Sequence, residues 1–138
     1  MKNGSNSNNS KPYAVGPERT SIEIDTDNAF ASDKFTVPSG KGGLYFIQVQ
    51  VCVDDIDDQK ELEIRVYKNG SSILRSYSYA STDNQINMIH EHSSLHDLNA
   101  SDYLEIYVLH GIGSNQTILA DRTRWSGFKL LGLSLIHI

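Results

Sequence analysis

Cysteine occurs once in the 138 residues, at Cys52, so no disulfide forms within the chain and the disulfide-stapled scaffolds of small secreted domains are excluded. Its neighbours alternate apolar and polar, and a single cysteine in such a run reads as a small buried hydrophobe, not as a nucleophile. No apolar run reaches the ~18 residues that a membrane-crossing helix needs, so insertion into a bilayer as a helix is excluded. Basic residues are few and scattered: 12 Lys and Arg stand against 17 Asp and Glu, a formal charge of -5. A phosphate-backbone partner needs clustered cations to displace counterions, so no nucleic acid ligand is expected. Also missing are an apolar pattern sustained at helical period, an internal repeat, and a glycine-rich phosphate cradle between a strand and a helix. The opening residues lack the apolar segment of a secretory signal.

The chain is long enough for one domain with its own core. Residues 1–11 are nearly all Asn, Ser, Gly and Lys, a composition that cannot bury enough apolar surface to offset the entropy of ordering; they read as a flexible leader or a junction to an upstream segment. Residues 12–132 form the expected domain. Residues 133–138, Leu133-Ser134-Leu135-Ile136-His137-Ile138, read as the translation of a sequencing-library adapter at the end of a metagenomic contig, the alternative being a genuine apolar last strand.

Between these ends the pattern is strand, turn, strand. Ile22-Glu23-Ile24 alternates and runs into a turn-rich stretch, and Lys34-Phe35-Thr36-Val37-Pro38 leads to a glycine-rich turn at 39–43. In the strand that follows, Tyr45, Ile47, Val49, Val51 and Val53 share one face, the better candidate for the core, and Leu44, Phe46, Gln48, Gln50 and Cys52 share the other. Leu62-Glu63-Ile64-Arg65-Val66-Tyr67 alternates cleanly and ends at Asn69-Gly70, the strongest short-range hairpin signal, so 73–79 should fold back on it. A further strand falls within 85–92, with 94–98 following, and in 103–110 Leu104, Ile106 and Val108 oppose Tyr103, Glu105, Tyr107 and Leu109. Short pieces at 117–120 and 124–131 close the domain. About eight short strands with regularly spaced turns predict an all-β, two-sheet sandwich or jelly roll.

Five of these pieces also carry a resemblance. Lys34-Phe35-Thr36-Val37-Pro38, Gly43-Leu44-Tyr45-Phe46, Val66-Tyr67-Lys68-Asn69-Gly70, Leu98-Asn99-Ala100-Ser101-Asp102-Tyr103-Leu104-Glu105 and Trp125-Ser126-Gly127-Phe128, in that order over residues 22–131, resemble the globular head of complement C1q-like proteins. The resemblance implies a jelly roll of the C1q and tumour necrosis factor kind, assembled as a homotrimer. Ser101 departs from it, standing where the family usually has glycine, and the first strand, expected near Tyr13-Ala14-Val15, is short. Trimerisation has a second argument: the outward faces carry Leu44, Phe46, Tyr103, Tyr107, Leu109 and Trp125, too much apolar and aromatic surface to leave wet, and aromatic surface outside a core is usually interface. The competing reading is that a loop of the same chain covers it.

Metal and catalytic chemistry are thinly represented. Asp54, Asp55, Asp57 and Asp58 cluster oxygen ligands suited to calcium, but without the glycine and distal glutamate of an EF-hand loop, and a solvated turn is the plainer reading. His90 and His92 share one strand face, so three copies around an axis would offer six imidazoles to a transition metal; surface histidines are the plainer reading here too. Ser94 and His96 are near in sequence but have no evident third group to orient the imidazole. No resident cofactor is expected, with calcium the one possible exception, and no enzymatic activity. The function expected is multivalent binding of a cell-surface glycan or protein, outside the cell or on a virion surface as the head of a fibre. Alternatives are a secreted lectin or cytokine-like ligand, or a purely structural virion protein. The contact loops are expected at 54–59, 81–87 and 111–116, with Gln59, Asp83, Asn84 and Asn115 as candidate contacts.

Overall fold

The computed structural model describes residues 29–57, 59–81 and 87–130, together with the backbone of two short strands nearer the start of the chain. Among the described residues are eleven strands and one short turn of 3-10 helix. They are β1 (Gly4–Asn6), β2 (Tyr13–Val15), β3 (Phe30–Ala31), β4 (Lys34–Thr36), β5 (Gly43–Val53), β6 (Glu61–Lys68), β7 (Ser71–Tyr79), β8 (Met88–Leu98), β9 (Tyr103–His110), β10 (Gln116–Ile118), the turn η1 (Ala120–Arg122) and β11 (Arg124–Lys129). All pairings are antiparallel and fall into two sheets. In the first, β5 pairs along its whole length with β8 on one edge; its other edge takes β11 and, at Val53, β10, which pairs in turn with β1. In the second, β6 lies between β7 and β9, and the far edge of β9 takes β4 and β2, with β3 beyond β4.

The expected jelly-roll sandwich is the observed one. Tyr45, Ile47, Val49, Val51 and Val53 of β5 face Leu62, Ile64 and Val66 of β6 and Leu104, Ile106 and Val108 of β9 across the interior, all buried in one cluster. Each such aliphatic side chain withdrawn from water contributes about 1.5–3 kcal/mol, which is why the period-two alternation fixes which side of each strand turns inward. An aromatic file closes one flank: Trp125 meets Phe30 edge-on at 5.2 Å between ring centroids, Phe30 meets Phe35 at 5.2 Å, and Phe35 meets Tyr45 at 5.3 Å. The strand expected over 85–92 begins at Met88 and runs on through 94–98 as one continuous strand, β8, and the piece expected near 13–15 is β2. The strand expected at Ile22-Glu23-Ile24 lies outside the described residues.

Asn69 and Gly70 turn β6 into β7 with φ of 51° and 83°, the positive pair that a two-residue hairpin of matching twist requires. The same Asn69 reaches across to the turn before β9: its Nδ2 donates to Asp102 Oδ1 at 2.8 Å and its Oδ1 accepts from the Tyr103 amide at 2.9 Å. Asp102 also accepts from the Asn99 amide at 2.8 Å and pairs with Lys68 at 3.3 Å. Two turns 30-odd residues apart are thereby tied at one end of the sandwich.

Two positions in this framework make opposite predictions. A Cβ on Gly127 would press into the Phe46 carbonyl at 2.5 Å and the Ile47 side chain at 2.6 Å, so Gly127→Ala must push β11 off β5 and is expected to cost about 1–3 kcal/mol, while Gly113→Ala, with open space around it, serves as control. Ser101 holds a φ of 73°, where only glycine rests without strain, and Ser101→Gly is expected to raise stability by about 0.5–1 kcal/mol. Urea denaturation of the three variants checks both signs.

Candidate functional site

The connections β5–β6, β7–β8 and β9–β10 all emerge at the end of the sandwich opposite the Asn69–Asp102 tie, so the three loops expected to make contacts share one end. Gln59 is exposed there, its amide donating to the Ala80 carbonyl at 3.0 Å, and Asn115 is exposed as well. Asp83, Asn84 and Asp58 lie outside the described residues. In the acidic loop the fully buried Ile56 pins the chain to the core, leaving Asp55 and Asp57 exposed on either side of it and Asp54 half-buried. Among the described residues no three His, Cys, Asp or Glu side chains gather as a metal-binding set.

The residues expected to form a single interface separate onto opposite faces. Leu44 and Phe46 project from the outer side of β5. There Phe46 stands between Leu95 of β8 and Phe128 of β11 in direct register, its ring 5.3 Å from that of Phe128. Leu95 is 42% exposed and Phe128 57%, a wet apolar row at one end of this sheet. A polar band of Gln48, Ser93 and Ser126 follows, and Ile89 is exposed at the far end. Tyr103, Tyr107 and Leu109 project from the other sheet, where each is already engaged. Tyr107 packs on Tyr67 at 4.6 Å, Tyr103 lies under the Lys34 ammonium at 4.5 Å, and Leu109 is buried. Trp125 corrects the expectation outright. It sits opposite Val49 on the inward side of β11 and is 1% exposed, so it has no surface left for a partner.

Sequence reasoning missed two features. Leu95 and Phe128 belong to the apolar face, but only the pairing of β5 with β8 and β11 shows that they flank Phe46. On the outer side of the second sheet, Glu63 is nearly buried, with Arg65 Nε at 2.8 Å and Arg75 Nε at 2.5 Å from its carboxylate. Burial pushes its carboxyl up, yet the hydrogen bonds from the two guanidiniums prevail and hold it below the ordinary carboxylate range. Beside it Tyr77 and Tyr79 are exposed, a face that the Ser76-Tyr77-Ser78-Tyr79 alternation does announce.

No protein-family model matches the chain, and no curated relative matches it. Solved structures do. The globular domain of zebrafish complement 1qA superposes with a TM-score of 0.53 at 10% identity, covering 94% of this chain and 98% of that one. The Eiger tumour necrosis factor of S. frugiperda gives 0.54 at 13% identity, covering 99% and 96%. Rabbit GITRL gives 0.50 at 21% identity, covering 75% and 76%. The chain has the C1q and tumour necrosis factor fold.

In this C1q/TNF-type sandwich β7 and β8 are the outer strands of the two sheets on the same flank, and their inward side chains face each other. The β8 row is His90, His92, Ser94 and His96, opposite the core residues Val51, Val49, Ile47 and Tyr45 of β5. The histidines therefore point between the sheets, which corrects their reading as surface or axial ligands. His90 Nε2 and Nδ1 lie 2.9 and 3.1 Å from the hydroxyls of Ser76 and Ser78 on β7. His96 Nε2 lies 2.7 Å from the Ser94 hydroxyl, and among the described residues no carboxylate accepts a hydrogen bond from this imidazole. His92 Nε2 is buried without a hydrogen-bond partner. Cys52 is buried on the outer side of β5, next to η1, with its amide donating to Thr123 Oγ1 at 2.9 Å; burial pushes its thiol up and keeps it inert. Among the described residues no helix is long and apolar enough to cross a membrane.

Burial holds all three imidazoles below their ordinary value of 6.5. The unfolded chain therefore takes up protons first as pH falls, so the stability these groups contribute is full above pH 6.5 and is lost below it. Glu63 and Asp102, whose carboxyls are lowered, lose theirs only in the more acid carboxylate range. Thermal unfolding is expected to drop by about 3 °C or more between pH 7.5 and 5.5, and the combined His90→Gln, His92→Gln and His96→Gln variant to flatten that slope.

Proposed function

We propose that the chain is a homotrimeric, ligand-binding head whose β8–β5–β11 sheet turns toward a threefold axis, leaving the second sheet and the loop end facing outward. The observation that carries this is the wet row of Leu95, Phe46 and Phe128. Among the described residues no element covers this row, and Leu130 donates its amide to the Leu44 carbonyl beside it. An apolar centre bordered by Gln48, Ser93, Ser126 and the Gln50–Glu91–Arg124 register has the apolar-core and polar-rim pattern of an oligomer contact. Cyclic closure around three copies buries it without leaving an open, fibre-forming face. The likeness to C1q-type heads favours the same assembly.

A trimer presents three loop ends in one direction, so weak contacts with a cell-surface glycan or protein add by avidity. Such a head works outside the cell, and the Asn- and Ser-rich composition of residues 1–11 favours display on a virion fibre over release as a free lectin or cytokine-like factor.

Sedimentation equilibrium in the micromolar range tests the assembly. The chain is expected to run at three times its monomer mass, and Phe46→Asp combined with Phe128→Asp to run as a folded monomer with unchanged strand content by circular dichroism. A monomeric parent chain would overturn the trimer.

A further inference from the structure

The outer side of the β6–β7 hairpin, at the loop end of the sandwich, holds a groove of about 330 Å³ lined by Glu61, Glu63, Arg75, Tyr77 and Tyr79. Its walls are the two tyrosines, 55% and 60% exposed, whose rings meet at 85° with centroids 5.6 Å apart and so form an open corner. Nothing in the core calls for aromatic side chains at these positions, since both project away from it. The floor is Glu63, fixed between Arg65 and Arg75. Glu61 stands opposite Tyr79 in register, and its carboxylate fills the space where a Cβ on Gly111 would fall, so this glycine leaves the carboxylate its place beside the β9–β10 loop.

We infer that this groove binds a neutral sugar, one pyranose ring seated in the corner between Tyr77 and Tyr79 with its hydroxyls on Glu61 and Arg75. The charges argue for a neutral occupant: Glu61 and Glu63 balance Arg65 and Arg75, so the site offers a polyanion no net attraction and would bury an unpaired charge against any strongly charged ligand. They also argue against an apolar one, which would strip water from a carboxylate and a guanidinium and give nothing back. A pyranose supplies both needs. Its C–H face packs on an aromatic ring, and its neighbouring hydroxyls donate to a carboxylate and accept from a guanidinium, each of which presents two parallel sites. The rotamer cost of binding is low, because Arg75 is already held by Glu63.

This inference rests on the reading of the chain as a ligand-binding head and names its ligand. The groove lies on the sheet away from Phe46 and Phe128, so a trimer closed through those residues leaves three grooves open. The test is an array of neutral, sialylated and sulfated oligosaccharides probed with the full chain, followed by saturation-transfer NMR with the best neutral binder. Neutral sugars are expected to be retained, and Tyr77→Ala combined with Tyr79→Ala to weaken binding by about tenfold or more, the scale for removing an aromatic anchor, with thermal stability and sedimentation unchanged. Glu61→Gln, which keeps the shape and removes the charge, is expected to weaken binding with the fold intact. Retention only of sulfated or sialylated sugars, retention of a protein and no sugar, or binding that survives the double tyrosine change would each overturn the groove. A trimer that binds no sugar sinks this inference alone; a monomer that binds neutral sugar through Tyr77 and Tyr79 sinks the trimer alone.

Discussion

Strand β5 is apolar along its inward side and, at Leu44 and Phe46, on its outward side as well, and the way each is covered organises the molecule. The inward side, from Tyr45 to Val53, is sealed by β6 and β9 of the opposite sheet, and the outward side is covered only in part. Near Cys52 the β10–η1 segment folds over it: Leu119 donates to the Cys52 carbonyl at 2.9 Å and Gln50 to the Arg122 carbonyl at 2.8 Å. Toward Phe46 that cover stops. A sheet hydrophobic on one face needs one neighbouring layer, and β5 at the Phe46 end asks for two, of which the described residues provide one.

The two ends of the sandwich are held together in different ways. At one end Lys68, Asn69, Asn99, Asp102 and Tyr103 satisfy one another, so the motif residues that carry the resemblance to C1q-type heads are the ones that hold turns in place. A hairpin of fixed twist and a turn with a left-handed residue, Ser101, meet there at one point. At the other end the ties between connections among the described residues are backbone bonds, such as Gln59 to the Ala80 carbonyl and Gly111 to the Glu61 carbonyl, which constrain side-chain identity less. The tyrosines and the Glu63 clamp sit toward that freer end but on strands, where their positions are set by register and not by a loop.

The fold was largely legible in the sequence. Alternation in β5 and β9 named the core side of each strand, and Asn69-Gly70 named the hairpin, because both signals depend only on adjacent residues. The surfaces were less legible. Period two says that Phe46 and Tyr107 both point away from the core, but not that they do so on opposite sides of the sandwich; that follows from which strands pair, a non-local fact. Trp125 was misjudged for the same reason, since its inward direction is set by lying opposite Val49 in β5. The charge clamp was hidden by its own register: Arg65 and Arg75 stand directly opposite each other, an arrangement of like charges that makes sense only with Glu63 between them.

The pairing of β11 with β5 also sets the order in which the molecule can be made. The amide of Cys52 is bonded to Thr123, 71 residues later, and the aromatic file that closes the flank waits for Trp125. During synthesis the β6–β7 hairpin can form as soon as it leaves the ribosome, but the first sheet stays one strand short until almost the last described residue has emerged. Until then the unpaired edge of β5 and the apolar end of its outer side stand open together, the combination through which incompletely folded chains pair with one another.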